Sequence, residues 1–232
     1  MTSNEAAQRG IQVFIAGDST AANYPPEHSP MAGWGQRLGE LFQPSITVVN
    51  AARNGRSSKS FIEEGLLEQI EQGIEPGDYF LIQFGHNDQK PDEERHTEPD
   101  TTYPQQLSRH IELARSKGAH PILLTSVERR HFGPSGELIP SHGEYPAAVM
   151  RLADQLQVPV LDLCARTQSA YRAMGAEDSK AWFVWLKPEE HANYPEGLED
   201  NTHFNETGAL EVAKLVAEEL KQAGIPLAQW LL

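Results

Sequence analysis

Cysteine is nearly missing: Cys164 is the one thiol in 232 residues, which excludes an intrachain disulfide framework. Its setting, Val-Pro-Val-Leu-Asp-Leu-Cys, reads as the end of a buried strand in which the thiol is a small apolar filler. Long apolar runs are missing too, since no stretch approaches the roughly 18 residues that a membrane span needs, and residues 1–10 contain no apolar stretch typical of a leader. No membrane partner is expected. A cytoplasmic location is the simplest expectation, with 1–10 as a disordered start. Positive charge is scarce, 19 basic against 33 acidic residues for a net −14, and such a field repels a phosphate backbone. Nucleic acid is therefore not expected as a partner. Repeats and low-complexity tracts are also lacking.

The chain nevertheless has ample material for a core. With 39% hydrophobic residues, 16 Pro and 18 Gly, the composition is that of an ordinary soluble globular protein. At this mass about 70% of the unfolded chain's surface can be buried. One domain spanning 1–232 is the default for this length.

Short apolar runs at 11–16, 46–49, 79–83, 121–125 and 158–163 alternate with longer amphipathic ones at 33–42, 58–72, 102–117, 144–156, 166–174 and 206–222. Parallel neighbours require crossover connections, and these place helices over both faces of a sheet. The expected fold is a three-layer α/β/α sandwich with a flavodoxin-like five-stranded parallel sheet in the order 2-1-3-4-5. Asn205 is placed to cap the last helix. The polar segments 23–30, 90–101 and 130–145 each follow a strand, on the edge where open α/β sheets bind ligands.

Three of those strand ends carry chemistry. Gly17-Asp18-Ser19-Thr20 follows the first, Asn54-Gly55-Arg56-Ser57 the second and Gly85-His86-Asn87-Asp88 the third. Singly, each is an ordinary turn. In the 2-1-3 order the second and third loops flank Ser19. The Ser19 N–H, the Gly55 N–H and the Asn87 side-chain amide then converge as an oxyanion hole around a serine nucleophile. Before the last helix, Asp200-Asn201-Thr202-His203 supplies a general base, His203, with a carboxylate three residues upstream that can fix its tautomer. Alone, that pair also suits a loop contact or an incomplete metal site.

These four blocks, in this order, resemble those of the SGNH (GDSL-type) hydrolase superfamily. The fuller strings Phe-Ile-Ala-Gly-Asp-Ser-Thr-Ala, Asn-Gly-Arg-Ser-Ser-Lys-Ser-Phe, Gln-Phe-Gly-His-Asn-Asp-Gln-Lys and Asp-Asn-Thr-His-Phe are similar to those of rhamnogalacturonan acetylesterases. The resemblance runs from about Val13 to Val216. It implies an esterase that uses no metal or other cofactor. Ser19 attacks an acetyl carbonyl, His203 acts as base and then acid, Asp200 orients it, and water releases acetate from an acyl-enzyme. The implied substrate is an acetylated pectic oligosaccharide, imported if the enzyme is cytoplasmic. A homodimer is left open.

Galacturonate is anionic, so a protein of charge −14 needs a local positive patch near Ser19. Arg56, Arg129, Arg130 and His142 are the candidates for substrate binding, with Arg53, Lys59 and His131 beside them. Trp182, Trp185 and Tyr194 are candidates for stacking on sugar rings. Asp18 is expected to pin the nucleophile turn and Asp88 to orient the Asn87 loop. Other readings are a broad carboxylesterase or lipase-like enzyme and a non-catalytic carbohydrate-binding protein. A phosphotransferase using Asp18 lacks the further carboxylates that Mg²⁺ would need. A neutral imidazole is required of the base, so activity is expected to rise through roughly pH 6 to 7.

Overall fold

A computed structural model describes residues 9–232. The expected disorder at 1–10 falls mostly outside the described residues. Five strands, β1 (Ile11–Gly17), β2 (Ile46–Asn50), β3 (Tyr79–Gln83), β4 (His120–Leu124) and β5 (Val160–Leu161), form a parallel sheet in the order β2-β1-β3-β4-β5. Its two-residue periodicity divides the core. Val13 and Ile15 of β1, with Tyr79 and Leu81 of β3, face one layer, whereas Phe14, Ala16, Phe80 and Ile82 face the other.

The helices follow the apolar runs with two differences. The run at 33–42 is a short helix, α1 (Trp34–Leu38), continued by a 3-10 turn at Gly39–Leu41. The run at 58–72 breaks into α2 (Ser58–Glu63) and α3 (Leu66–Gly73), because Gly65 takes a left-handed conformation between them. Beyond these come α4 (Thr102–Ser116), α5 (Tyr145–Leu156), α6 (Leu163–Asp178) and α7 (Glu206–Gln222). Asn205 caps α7 as expected, its side chain accepting from Gly208 N.

One element has no counterpart in the sequence reading. β6 (Phe183–Leu186) and β7 (Leu198–Phe204) form an antiparallel pair separate from the main sheet. Two backbone bonds clasp β7 to the rest of the molecule, Ala32 N to Phe204 O at 2.9 Å and Arg130 N to Asn201 O at 2.8 Å. Cys164, expected at a strand end, lies instead in the first turn of α6, because β5 stops at Leu161; it is buried beside Glu128, and burial pushes its thiol up to about 12, so it remains a protonated filler. No helix among the described residues is long and apolar enough to cross a membrane.

Candidate active site

Ser19 stands two residues beyond β1, on a turn held by Asp18. The Asp18 carbonyl accepts from Ala21 N and Ala22 N at 3.2 and 3.1 Å, and its carboxylate accepts from Thr20 N and Thr20 Oγ1 at 2.9 and 2.8 Å. Gln83 Nε2 donates to Thr20 Oγ1 at 2.9 Å, and the buried Trp34 indole donates to Gln83 Oε1 at 2.6 Å. A buried polar chain thus runs beneath the serine from α1 to β3. Trp34 is core, as is Phe204. Burial pushes the Asp18 carboxyl up, but the neighbouring His86 and the Thr20 bonds outweigh it and hold the carboxyl below its ordinary value.

The residue expected to act as base lies on β7. His203 Nε2 lies 3.0 Å from Ser19 Oγ, and its Nδ1 lies 2.7 Å from Asp200 Oδ2. Asp200 is itself fixed by its own strand, since Oδ1 accepts from Thr202 N and His203 N at 2.7 and 2.9 Å. Burial raises the Asp200 carboxyl, while the bonds from His203 and the two amides bring it below the usual carboxylate range. A carboxylate so held takes Nδ1–H as donor and leaves Nε2 to accept the hydroxyl proton.

The donor side is open. The N–H groups of Ser19 and Gly55 donate to no other protein group among the described residues. Gly55 has φ +77, and a Cβ there would project into empty space, so glycine serves the backbone conformation rather than avoiding a clash. Asn87 spends one amide hydrogen on Arg56 O at 3.1 Å and keeps the second. Arg95 Nη1 lies 3.5 Å from Asn87 Oδ1, which fixes the amide with its nitrogen away from Arg95. Asp88 fastens this loop to the previous one: it accepts from Ser58 N at 3.2 Å, Ser58 Oγ at 2.5 Å and Thr97 Oγ1 at 2.9 Å.

A cavity of about 480 Å³ opens over these groups. Ser19, Gly55, Asn87 and His203 line it together with Tyr24, His28, His86, Lys90, Arg95 and Arg129. Of the four residues expected to bind substrate, only Arg129 reaches the cavity. Arg56 is turned away into an ion pair with Glu64, at 2.6 Å. Arg130 is buried, with its guanidinium over the Trp185 ring at 5.1 Å and bonded to Asn201 Oδ1, Ser179 Oγ and Ala176 O. It braces β7 rather than facing a ligand. His142 is enclosed between Val127 O, at 2.8 Å, and Gln89 Nε2, at 2.6 Å. The aromatic candidates are used elsewhere: Trp182 packs on Tyr171, Trp185 lies against Arg130, and the Tyr194 hydroxyl donates to His28 O.

Tyr24, Lys90 and Arg95, which the sequence does not single out, also line the cavity from the ligand-edge loops 23–30 and 90–101. Only the three-dimensional loop path shows which of their charged side chains face inward. Among the described residues no cluster of His, Cys, Asp and Glu is arranged to hold a metal ion.

The geometry provides a hydroxyl, an imidazole oriented by a carboxylate, and donor groups of Ser19, Gly55 and Asn87 in residues that line the same cavity, which is the equipment of acyl transfer. Comparison with known proteins agrees with that chemistry. Residues 15–209 match the model of the GDSL-like lipase/acylhydrolase family. A rhamnogalacturonan acetylesterase of Bacillus subtilis strain 168 is 54% identical, over 97% of this chain and 95% of its own length. A rhamnogalacturonan acetylesterase of Emericella nidulans is 27% identical, over 93% and 86% of the two chains. Among solved structures, the YxiM protein of Bacillus subtilis superposes with a TM-score of 0.80 at 29% identity, covering 94% of this chain and 58% of that one.

Proposed function

The chain belongs to the GDSL-like lipase/acylhydrolase family and is a carboxylic ester hydrolase, and from that premise we propose that it removes acetyl groups from acetylated pectic oligosaccharides through an acyl-enzyme. The observation that carries the mechanism is the relay from Asp200 Oδ2 through His203 to Ser19 Oγ, with spans of 2.7 and 3.0 Å. The substrate class rests on the likeness to rhamnogalacturonan acetylesterases.

In the first half-reaction Ser19 Oγ bonds to the acetyl carbon as its proton passes to His203 Nε2. The oxyanion is met by the N–H groups of Ser19 and Gly55 and by the Asn87 amide. Collapse expels the sugar oxygen, which takes the proton from Nε2 and leaves Ser19 acetylated. Water then gives a proton to Nε2 and attacks the same carbon; acetate departs and the proton returns to Ser19. Asp200 stabilises the imidazolium in both halves without taking the proton.

Acetate release from acetylated rhamnogalacturonan, xylan and chitin fragments at equal concentration tests the substrate, and Ser19→Ala tests the nucleophile. The rhamnogalacturonan fragments should be deacetylated fastest, with Ser19→Ala losing nearly all turnover. Faster release from xylan or chitin would refute the substrate class, and residual turnover near wild type would refute Ser19.

A further inference from the structure

The cavity differs in charge from the molecule around it. The protein carries a net −14, yet no Asp or Glu is among the residues lining the cavity, whereas Lys90, Arg95 and Arg129 are. These cations are not equivalent. Arg95 is already committed, pairing through two nitrogens with Asp92 at 2.8 and 2.6 Å. Among the described residues Arg129 has no carboxylate at ion-pair distance. Its half-buried guanidinium donates only to neutral oxygens, His86 O at 3.2 Å, Gln89 Oε1 and Ser141 Oγ at 3.3 Å, and Ser141 O at 3.5 Å. These bonds use Nη1 and one hydrogen of Nη2, so Nε–H and the second Nη2 hydrogen have no acceptor among the described residues. Burial presses its pKa down, while Asp18 and Glu128, near but out of contact, press it back up.

Lys90 is exposed, and among the described residues its ammonium makes neither an ion pair nor a hydrogen bond. Its backbone is nevertheless fixed, since its N–H donates to Asn87 O at 3.0 Å and its carbonyl is bonded by His96 Nδ1 at 2.9 Å. Both unpaired cations are therefore attached to the same turn, 86–90, that presents the Asn87 amide. Desolvating a guanidinium without an anion is costly, and a partly dry cavity strengthens whatever anion completes it.

We propose that Lys90 and Arg129 form a carboxylate subsite that takes the uronate group of a sugar bound beside the acetylated position. Arg129 gives directed N–H bonds from within the cavity and Lys90 gives a mobile charge at its mouth. The subsite rests on the pectic acetylesterase reading and adds to it a reason why an acidic protein accepts an acidic polymer.

The test compares acetylated rhamnogalacturonan fragments with their galacturonate carboxylates free against the same fragments methyl-esterified, reading kcat/KM for acetate release. The wild type should favour the free acid about tenfold, the scale of one charge-assisted hydrogen bond, and the preference should shrink as salt is raised. Lys90→Gln and Arg129→Gln should each reduce the preference, and the double variant should bring it near unity. Lys90 makes no side-chain bond to lose, so Lys90→Gln decides the matter if Arg129→Gln disturbs the 86–90 turn. Equal kcat/KM for the two forms, or a preference that Lys90→Gln leaves intact, overturns the subsite while leaving the acetylesterase reading in place. Absence of acetate release from both forms overturns the pectic reading and the subsite with it.

Discussion

At the scale of single residues, Asn87 is the most exposed to a direct test. It reaches the site with one amide hydrogen committed to Arg56 O and its oxygen turned toward Arg95. Its remaining hydrogen has no structural duty, so a loss there should be felt in the transition state. Asn87→Ala is expected to lower kcat by about 10²–10³-fold with KM nearly unchanged, read in steady-state acetate release. A change confined to KM would mean that Asn87 binds substrate and does not stabilise the oxyanion. The residues of this constellation were legible because each sits in a short contiguous block, and Asp200 and His203 are only three apart. Arg56, Arg130 and His142 were not separable from Arg129 by sequence. Their orientation is decided by partners far along the chain, Glu64 for Arg56, Trp185 and Asn201 for Arg130, and Val127 and Gln89 for His142.

At the scale of elements, the five parallel strands were legible as short continuous apolar runs alternating with amphipathic ones, because both faces of the sheet are covered. The β6–β7 pair was not. β7 reads Leu-Glu-Asp-Asn-Thr-His-Phe, with only Phe204 fully buried, and a half-exposed ribbon of charged residues carries no core pattern. What holds it is local and specific. α7 begins directly after β7, and its first turn lies so close to the 3-10 turn at Ser179–Trp182 that a Cβ on Gly208 would stand 1.9 Å from Trp182 O. Gly208→Ala must therefore displace backbone, at about 1–3 kcal/mol. The melting temperature should fall by about 2–4 °C for each kcal/mol lost. An unchanged melting temperature would show that this contact has slack.

At the scale of the whole molecule, buried histidines set the response to acid. Burial drives His110 down to about 4 and His142 down to about 2, and it lowers His86 against the pull of Asp18. Folded, His110 and His142 stay neutral well below 6.5, and His86 is shifted in the same direction; unfolded, all three take up protons there. Their contribution to stability is complete above about pH 6.5 and is lost as pH falls, by at most about 1.4 kcal/mol per pH unit for each ring. Asp88, pushed up to about 6 by burial, acts with the opposite sign between about 4 and 6, and His96, raised by its bond to Glu98, shares that sign, but these are two groups against three. The melting temperature should drop between pH 7 and pH 5. His110→Leu should lessen that drop, since His110 Nε2 is buried without a partner among Phe61, Phe80 and Phe84. A melting temperature that rises on acidification would mean that Asp88 and His96 dominate.

The proposed nucleophile and its proposed base belong to two differently built parts of the molecule. Ser19 extends from the centre of a sheet laddered on both sides, whereas His203 rides on a two-stranded flap tied down by a few clasps such as those from Ala32 and Arg130. Loss of the Ser19–His203 contact therefore does not require the interior to melt. Lifting the ribbon by about an ångström takes His203 Nε2 beyond hydrogen-bond reach of Ser19 Oγ, so that contact depends on the grip on the ribbon as well as on the sandwich beneath it.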